Sequence, residues 1–185
     1  MSVLFSILHD PVLTHTAAAV VGIVLVLGAW PKLRDLEVFQ HALAAYEMLP
    51  ERLVPLAARA IPLAEMIAAA LLLTAATRTA GALLAVLLLA VFAVAIVRNL
   101  LAGRTDIDCG CGGQEGVTLS WGLVLRNVLL IAIAGLATLS ATDRPTTLLD
   151  AATGGLATLS LLGLYAVANQ LLANEPRLKK LRDAP

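Results

Sequence analysis

The sequence predicts an all-α, polytopic membrane helical bundle with five membrane spans and one amphipathic helix at the membrane interface. Hydrophobic residues make up 59% of the 185-residue chain and charged residues 14%, whereas soluble domains are about 45–50% apolar and about 25% charged. The apolar residues, mostly Leu, Ala and Val, form runs that approach the roughly 20 residues needed to cross a bilayer. A single membrane domain over residues 1–172 and a basic tail over 173–185 are therefore expected.

Five apolar runs are the candidate spans. They cover about residues 14–30, 56–76, 80–100, 121–141 and 148–172. The second is the least apolar because it contains Arg59 and Glu65. The first is predicted to be a retained span rather than a signal peptide, because its basic residues, Lys32 and Arg34, follow the apolar run instead of preceding it.

The amphipathic helix is predicted between the first two spans, over about residues 31–49. Its apolar residues recur every three or four positions and so share one helical face; they are Leu33, Leu36, Phe39, Leu43 and Tyr46. Pro31 suits the start of a helix, and Pro50 ends it. We interpret the segment as a helix lying in the membrane interface, with a short soluble hairpin as the alternative.

Basic residues are concentrated on one side of the predicted bundle. Of the thirteen Lys and Arg residues, only Arg78 and Arg144 fall on the other side, which leaves eleven in the first loop, around the third loop and in the tail. Positive charge favours the cytoplasmic side, so the N-terminus is predicted outside, and the C-terminus and third loop in the cytoplasm, of a bacterial inner membrane. No basic cluster has interleaved aromatic residues, so nucleic-acid binding is not expected.

The third loop contains both cysteines of the chain, Cys109 and Cys111, separated by one glycine. A zinc site needs four ligands, and His41 is the only histidine predicted on this side, so no metal is expected. A structural disulfide across one residue would constrain little of the unfolded chain. Neighbouring glycines supply the permissive backbone of a tight loop. We therefore predict a redox-active dithiol, with inert free thiols as the alternative.

Polar residues inside the spans form a second candidate site. Glu65 lies within the second span, and Arg126 and Asn127 lie near the start of the fourth. Ionisable residues in spans are costly and are functional candidates. Glu65 and Arg126 are expected at similar depth beneath the cysteines, where an ion pair would offset their desolvation. Such a pair is either a structural clasp or part of a catalytic site in which Arg126 or Lys32 stabilises a thiolate and Glu65 handles protons.

Several segments resemble the MauE family of methylamine-utilisation membrane proteins, within a wider DoxX-like group. They are the run Lys-Leu-Arg-Asp-Leu-Glu-Val-Phe after the first span, the ending from Tyr46 to Pro50, the step from Pro62 to Glu65, the Cys-Gly-Cys-Gly-Gly loop and the Ser-Trp and Leu-Arg-Asn opening of the fourth span. The resemblance covers about residues 12–141 and implies a four-helix core extended by the fifth span. The positions that it carries over are Lys32, Glu65, Cys109, Cys111, Arg126 and Asn127.

The resemblance implies a redox-associated membrane protein that helps to mature an exported, disulfide-rich dehydrogenase together with a thioredoxin-like partner. By analogy with membrane bundles of the vitamin K epoxide reductase and disulfide-bond protein B type, a quinone between the helices is the candidate cofactor. Cysteines that act on an exported protein would most simply face outward. The distribution of Lys and Arg predicts instead that the loop is cytoplasmic. The alternatives are a structural or assembly subunit with incidental cysteines and a small-molecule carrier that uses Glu65 and Arg126 as its polar site.

Overall fold

The structure is a computed structural model that describes residues 9–105, 107, 118–139 and 147–182, with side chains as far as residue 174. This part of the chain confirms the predicted all-α fold. Its elements are α1 (Pro11–Arg34), α2 (Leu36–Ala45), a 3-10 turn (Glu51–Leu53), α3 (Val54–Leu72), α4 (Arg78–Leu101), α5 (Trp121–Ala137) and α6 (Leu148–Arg182). Cys109 and Cys111 lie outside the described residues.

Four helical segments are long and apolar enough to cross a membrane. They are Pro11–Arg34, Glu51–Leu72, Arg78–Leu101 and Leu148–Asn174. Helix α5 is also apolar, but its 17 residues reach only about 26 Å at about 1.5 Å per residue, somewhat less than the roughly 30 Å hydrocarbon layer. The predicted polytopic membrane bundle is confirmed.

The connection between the first two spans differs in detail from the prediction. Pro31 does not begin the amphipathic helix but lies inside α1, which continues to Arg34. Helix α2 begins after Asp35, whose carboxylate accepts a hydrogen bond from the Val38 N–H at 3.2 Å. An aspartate at this position satisfies one of the unpaired N–H groups of the first turn. Side-chain capping by Asp35 therefore sets the start of α2. The helix ends at Ala45, four residues before the end predicted from the sequence.

Helix α1 is the centre of the bundle. It packs against α3, α5 and α6, while α4 packs against α3 and α5, and α2 rests on α3. Alanines dominate the largest buried cluster, which contains Ala17, Ala18, Val21, Leu25, Ala68, Ala69, Leu72, Ala82, Ala85, Ala134 and Ala137. Small side chains allow helix backbones to approach closely in a membrane, where van der Waals packing drives association.

Helix α6 lies on the outside of the four-helix core formed by α1, α3, α4 and α5. None of its residues from Leu148 to Asn174 is buried. It is also longer than the predicted fifth span, because helical backbone continues to Arg182, well into the segment predicted as a solvated tail. Helix α6 is therefore a peripheral helix, and most of its surface faces away from the core.

Candidate functional site

A buried ion pair between Lys32 and Glu65 forms the centre of the polar site. The Lys32 Nζ donates a hydrogen bond to the Glu65 Oε1 at 2.6 Å, and the two side chains are 5% and 4% exposed. Lys32 comes from the last turns of α1 and Glu65 from the middle of α3. Removing two charges from water is expensive unless each has a close partner of opposite sign. The pair therefore joins α1 and α3, because separating the two side chains would leave a buried charge without a partner on each helix.

Two aromatic rings complete the surroundings of the Lys32 ammonium. Its Nζ lies 5.3 Å from the ring centroid of Phe39 on α2 and 4.6 Å from that of Phe92 on α4. Both distances fall in the range where the negative face of a ring attracts a cation. The Lys32 Nζ, which extends from α1, thus contacts side chains of α2, α3 and α4. This contact connects the amphipathic helix α2 to the membrane spans.

Two buried polar side chains each have an atom without a hydrogen-bond partner within the described part of the chain. One is the Glu65 Oε2, and the other is the Asn127 Nδ2 on α5, whose residue is 2% exposed. A carboxylate oxygen is an acceptor and an amide nitrogen is a donor. Unsatisfied buried groups of this kind are uncommon and carry a desolvation cost. The site can therefore accept a proton or a hydrogen-bonding group inside the bundle.

Arg126 does not pair with Glu65, so the ion pair considered from the sequence is wrong. Its Nη1 instead donates to the Asn169 Oδ1 on α6 at 2.7 Å, and its guanidinium carbon lies 5.9 Å from the Tyr165 ring centroid. Successive residues on a helix point about 100° apart. Because Asn127 points into the core, the adjacent Arg126 is turned toward α6.

The third loop is fastened at its base to the end of α2. Arg104 donates from Nη1 to the Glu47 Oε2 and from Nη2 to the Ala45 carbonyl, both at 2.9 Å. Asn99 donates to the Tyr46 carbonyl at 3.4 Å. On the far side of the loop, the Leu119 N–H bonds to the Thr105 and Ile107 carbonyls at 3.2 Å. The chain thus closes on itself immediately before and after the cysteine segment.

The polar site lies close to this loop base. Helix α5 begins at Trp121, two residues after Leu119, and Asn127 follows six residues later. At about 1.5 Å per residue, that distance along the helix is about 9 Å. Lys32 in the last turn of α1 and Arg126 and Asn127 in the first turns of α5 thus lie toward the end of the bundle that carries the loop base, and Glu65 meets Lys32 from the middle of α3.

The family model of the methylamine utilisation protein MauE matches residues 10–140. The chain belongs to the MauE family. It is 34% identical to the methylamine utilization protein MauE of Paracoccus denitrificans over 168 residues, 89% of each chain. The MauE of Paracoccus versutus is 36% identical over 89% of this chain and 90% of its own. That of Methylophilus methylotrophus is 31% identical over 94% and 93%. No solved structure matches the chain.

The MauE match confirms the resemblance inferred from the sequence, and it includes the buried ion pair, Asn127 and both cysteines. The sequence arguments missed Phe39 and Phe92 as partners of Lys32, and Asn169 as the partner of Arg126. Asn169 carried a signal, because it is a polar residue near the end of the fifth apolar run. The two phenylalanines gave no such signal, because an aromatic residue on an apolar helix face is usually explained by packing in the core.

Proposed function

We propose that this MauE-family chain is an inner-membrane protein of methylamine utilisation that exchanges disulfides through Cys109 and Cys111. The proposed partner is a thioredoxin-like protein, and the exchange serves the maturation of an exported dehydrogenase. The observation that supports this proposal most is the buried Lys32–Glu65 pair inside the bundle, with the buried Asn127 in the first turns of α5, the helix that follows the cysteine loop. Thiol chemistry next to a membrane needs a group that handles protons, and an apolar bundle does not otherwise provide one.

The exchange proceeds by two displacements. A loop thiolate attacks one sulfur of the partner's disulfide, forming a mixed disulfide and releasing one partner thiolate. The second loop thiolate then attacks the loop sulfur of the mixed disulfide, so that the Cys109–Cys111 disulfide forms and the partner leaves as a dithiol. The loop loses two electrons and two protons, and the partner gains both. The reverse sequence passes a disulfide to the partner.

We propose that the polar site takes up protons and that a quinone held there would reoxidise the loop dithiol after the loop has passed its disulfide to the partner. Glu65 binds Lys32 through one carboxylate oxygen and keeps the other free, so it is suited to take up a thiol proton. A quinone fits the same residues, because its carbonyl oxygens accept hydrogen bonds and the Asn127 Nδ2 is an unpartnered donor. Such a group supplies a sink for two electrons and two protons. The chain's own part is to orient it and to keep the site dry.

Labelling the two cysteines tests both the redox chemistry and the sidedness of the loop. The chain has no other cysteines, so an impermeant maleimide added to intact cells reports on Cys109 and Cys111 alone. In opened cells we expect labelling only after reduction, and a mixed disulfide to the partner should accumulate in Cys109→Ser or Cys111→Ser. The positive-inside count predicts that the reagent reaches the loop only after the cells are opened.

Complementation distinguishes this proposal from an assembly role. The double variant Cys109→Ser, Cys111→Ser is expected to lose growth on methylamine by at least about tenfold, because no thiolate remains to start the exchange. Ser120→Ala, a change of similar size just after the loop, is the matched control and should grow normally. Full growth of the double variant would contradict the exchange and favour an assembly subunit with incidental thiols.

A further inference from the structure

Helix α6 continues past the level at which α5 begins. A Cβ built on Gly122, in the first turn of α5, would meet the Leu172 side chain. One turn deeper in the bundle, the Arg126 Nη1 meets the Asn169 Oδ1, so α5 and α6 run in opposite directions. Leu172 is therefore level with the start of α5. The ten helical residues that follow it, residues 173–182, extend beyond that level, and we call them the α6 extension.

Two exposed tryptophans indicate the position of the membrane surface at this level. Trp121 is the first residue of α5, Trp30 lies in the last turns of α1, and the two residues are 60% and 64% exposed. Tryptophan is enriched where the hydrocarbon layer meets the headgroups. Ten helical residues span about 15 Å, whereas the headgroup layer on one side is about 5–8 Å thick. Because α6 is continuous to Arg182, the outer half of the α6 extension lies in water.

The α6 extension is basic, although the formal net charge of the whole chain is zero. It contains one acidic residue, Glu175, and four basic residues, which are Arg177, Lys179, Lys180 and Arg182. Lys179 follows Leu172 by about 10 Å of helix, so three of the four basic positions lie beyond the headgroup phosphates. Since salt screens charge over about 10 Å, these positions act most strongly on molecules in the water.

The α6 extension starts beside the base of the cysteine loop. Leu172 packs against the buried cluster that contains Leu119 and Leu123, and Ile107 packs against the same cluster. Ile107 precedes Cys109 by two residues, which is at most about 7 Å of chain. A soluble protein that reaches the thiols therefore also comes within reach of the α6 extension.

We propose that the α6 extension is a docking site for an acidic surface of the soluble protein that exchanges disulfides with the cysteine loop. This role depends on the proposed function, because it assigns a recognition element to the partner named there. Opposite charges raise the rate at which two proteins meet by about 10–1000-fold at low ionic strength. The α6 extension thus accelerates the encounter, and the thiols perform the exchange.

Exchange with two synthetic disulfide peptides tests the docking site. The peptides share one intramolecular disulfide, which is flanked by four glutamates in the first and by four glutamines in the second. Each is mixed with the reduced full chain in phosphatidylcholine nanodiscs, and the loss of free thiols at Cys109 and Cys111 is followed with a maleimide. At about 20 mM salt we expect the glutamate peptide to react at least about tenfold faster, and at about 0.5 M salt we expect no difference.

Variants of the basic residues show whether the α6 extension causes this preference. Replacing its four basic residues by glutamine should remove the preference for the glutamate peptide. The matched control replaces four exposed arginines at the same end of the bundle and should keep the preference; its substitutions are Arg34→Gln, Arg52→Gln, Arg59→Gln and Arg98→Gln. A preference that persists in the extension variant, or that is lost equally in both variants, would overturn the proposal.

A failure of the exchange chemistry is recognised separately. If neither peptide oxidises the loop, thiol exchange is contradicted, and docking is measured by fluorescence anisotropy of the glutamate peptide with the variant Cys109→Ser, Cys111→Ser. A dissociation constant that rises at least about tenfold with the extension substitutions, but not with the control substitutions, supports a docking site for an acidic partner. Equal dissociation constants overturn it. Unchanged peptide binding with weaker binding to phosphatidylglycerol vesicles would assign the α6 extension to lipid instead.

Discussion

Replacing Lys32 with methionine is expected to lower the free energy of unfolding by about 3–5 kcal/mol, the usual cost of breaking a buried ion pair from one side. Methionine keeps an unbranched side chain between Phe39 and Phe92, so packing changes little. The Glu65 carboxylate, however, is 4% exposed and loses the ammonium 2.6 Å away. Reversible denaturation of the purified chain in mixed micelles measures the change.

The double variant Lys32→Met, Glu65→Met should recover most of that loss. Replacing a buried ion pair by apolar side chains of similar volume is often neutral or stabilising, and the double-mutant cycle isolates the coupling between the two sites. Glu47→Gln provides the matched comparison, because the Arg104–Glu47 pair is exposed and should be worth about 0.2–1 kcal/mol. A cost below about 1 kcal/mol for Lys32→Met would show that Lys32 and Glu65 are not a desolvated pair.

Gly81→Ala is expected to destabilise the bundle by about 1–3 kcal/mol, as overpacking does. A Cβ added at Gly81 on α4 would lie 2.8 Å from the Leu72 backbone nitrogen and 2.9 Å from the Leu71 carbonyl carbon. Backbone atoms cannot rotate aside as side chains do, so α3 and α4 must separate. The same denaturation measurement reports the loss, and it should appear without any change at the Lys32–Glu65 pair.

Gly163→Ala is the control for that substitution. Gly163 lies inside α6, and no atom lies within 4 Å of a Cβ built there. Alanine is a better helix former than glycine by up to about 1 kcal/mol, so this variant should be neutral or slightly stabilised. Equal stability of the two variants would mean that α3 and α4 do not approach as closely as Gly81 indicates.

The membrane bundle could be predicted because runs of about 20 apolar residues are typical of membrane-spanning helices. The ends of the helices were harder to place, since they depend on local capping. Pro31 and Asp35 both suit a helix start, and only the Asp35 contact to Val38 decides between them. The continuation of α6 into a basic segment was not predicted either, because a run of charged residues is compatible with helix or coil.

The sequence indicated which polar residues lie within the bundle but not how they pair. Hydropathy and chain direction place Glu65, Lys32 and Arg126 near one end of the bundle, so their depth could be inferred. Which residues touch depends on the rotation of each helix about its own axis. That rotation follows from packing among small residues. The position of a residue along the sequence gives its depth in the bundle but not the direction of its side chain. The partner of Glu65 is therefore Lys32, while Arg126 turns outward to Asn169.

The hydrogen bond from Arg126 to Asn169 bears on how small a working version of the protein can be. The family match ends at residue 140, and a chain cut there would keep all the residues predicted for the site. It would also leave the Arg126 guanidinium facing lipid where an amide oxygen now lies at 2.7 Å. We therefore expect a chain that ends before Asn169 to be less stable than the full chain, because the partly buried Arg126 guanidinium would lose its acceptor.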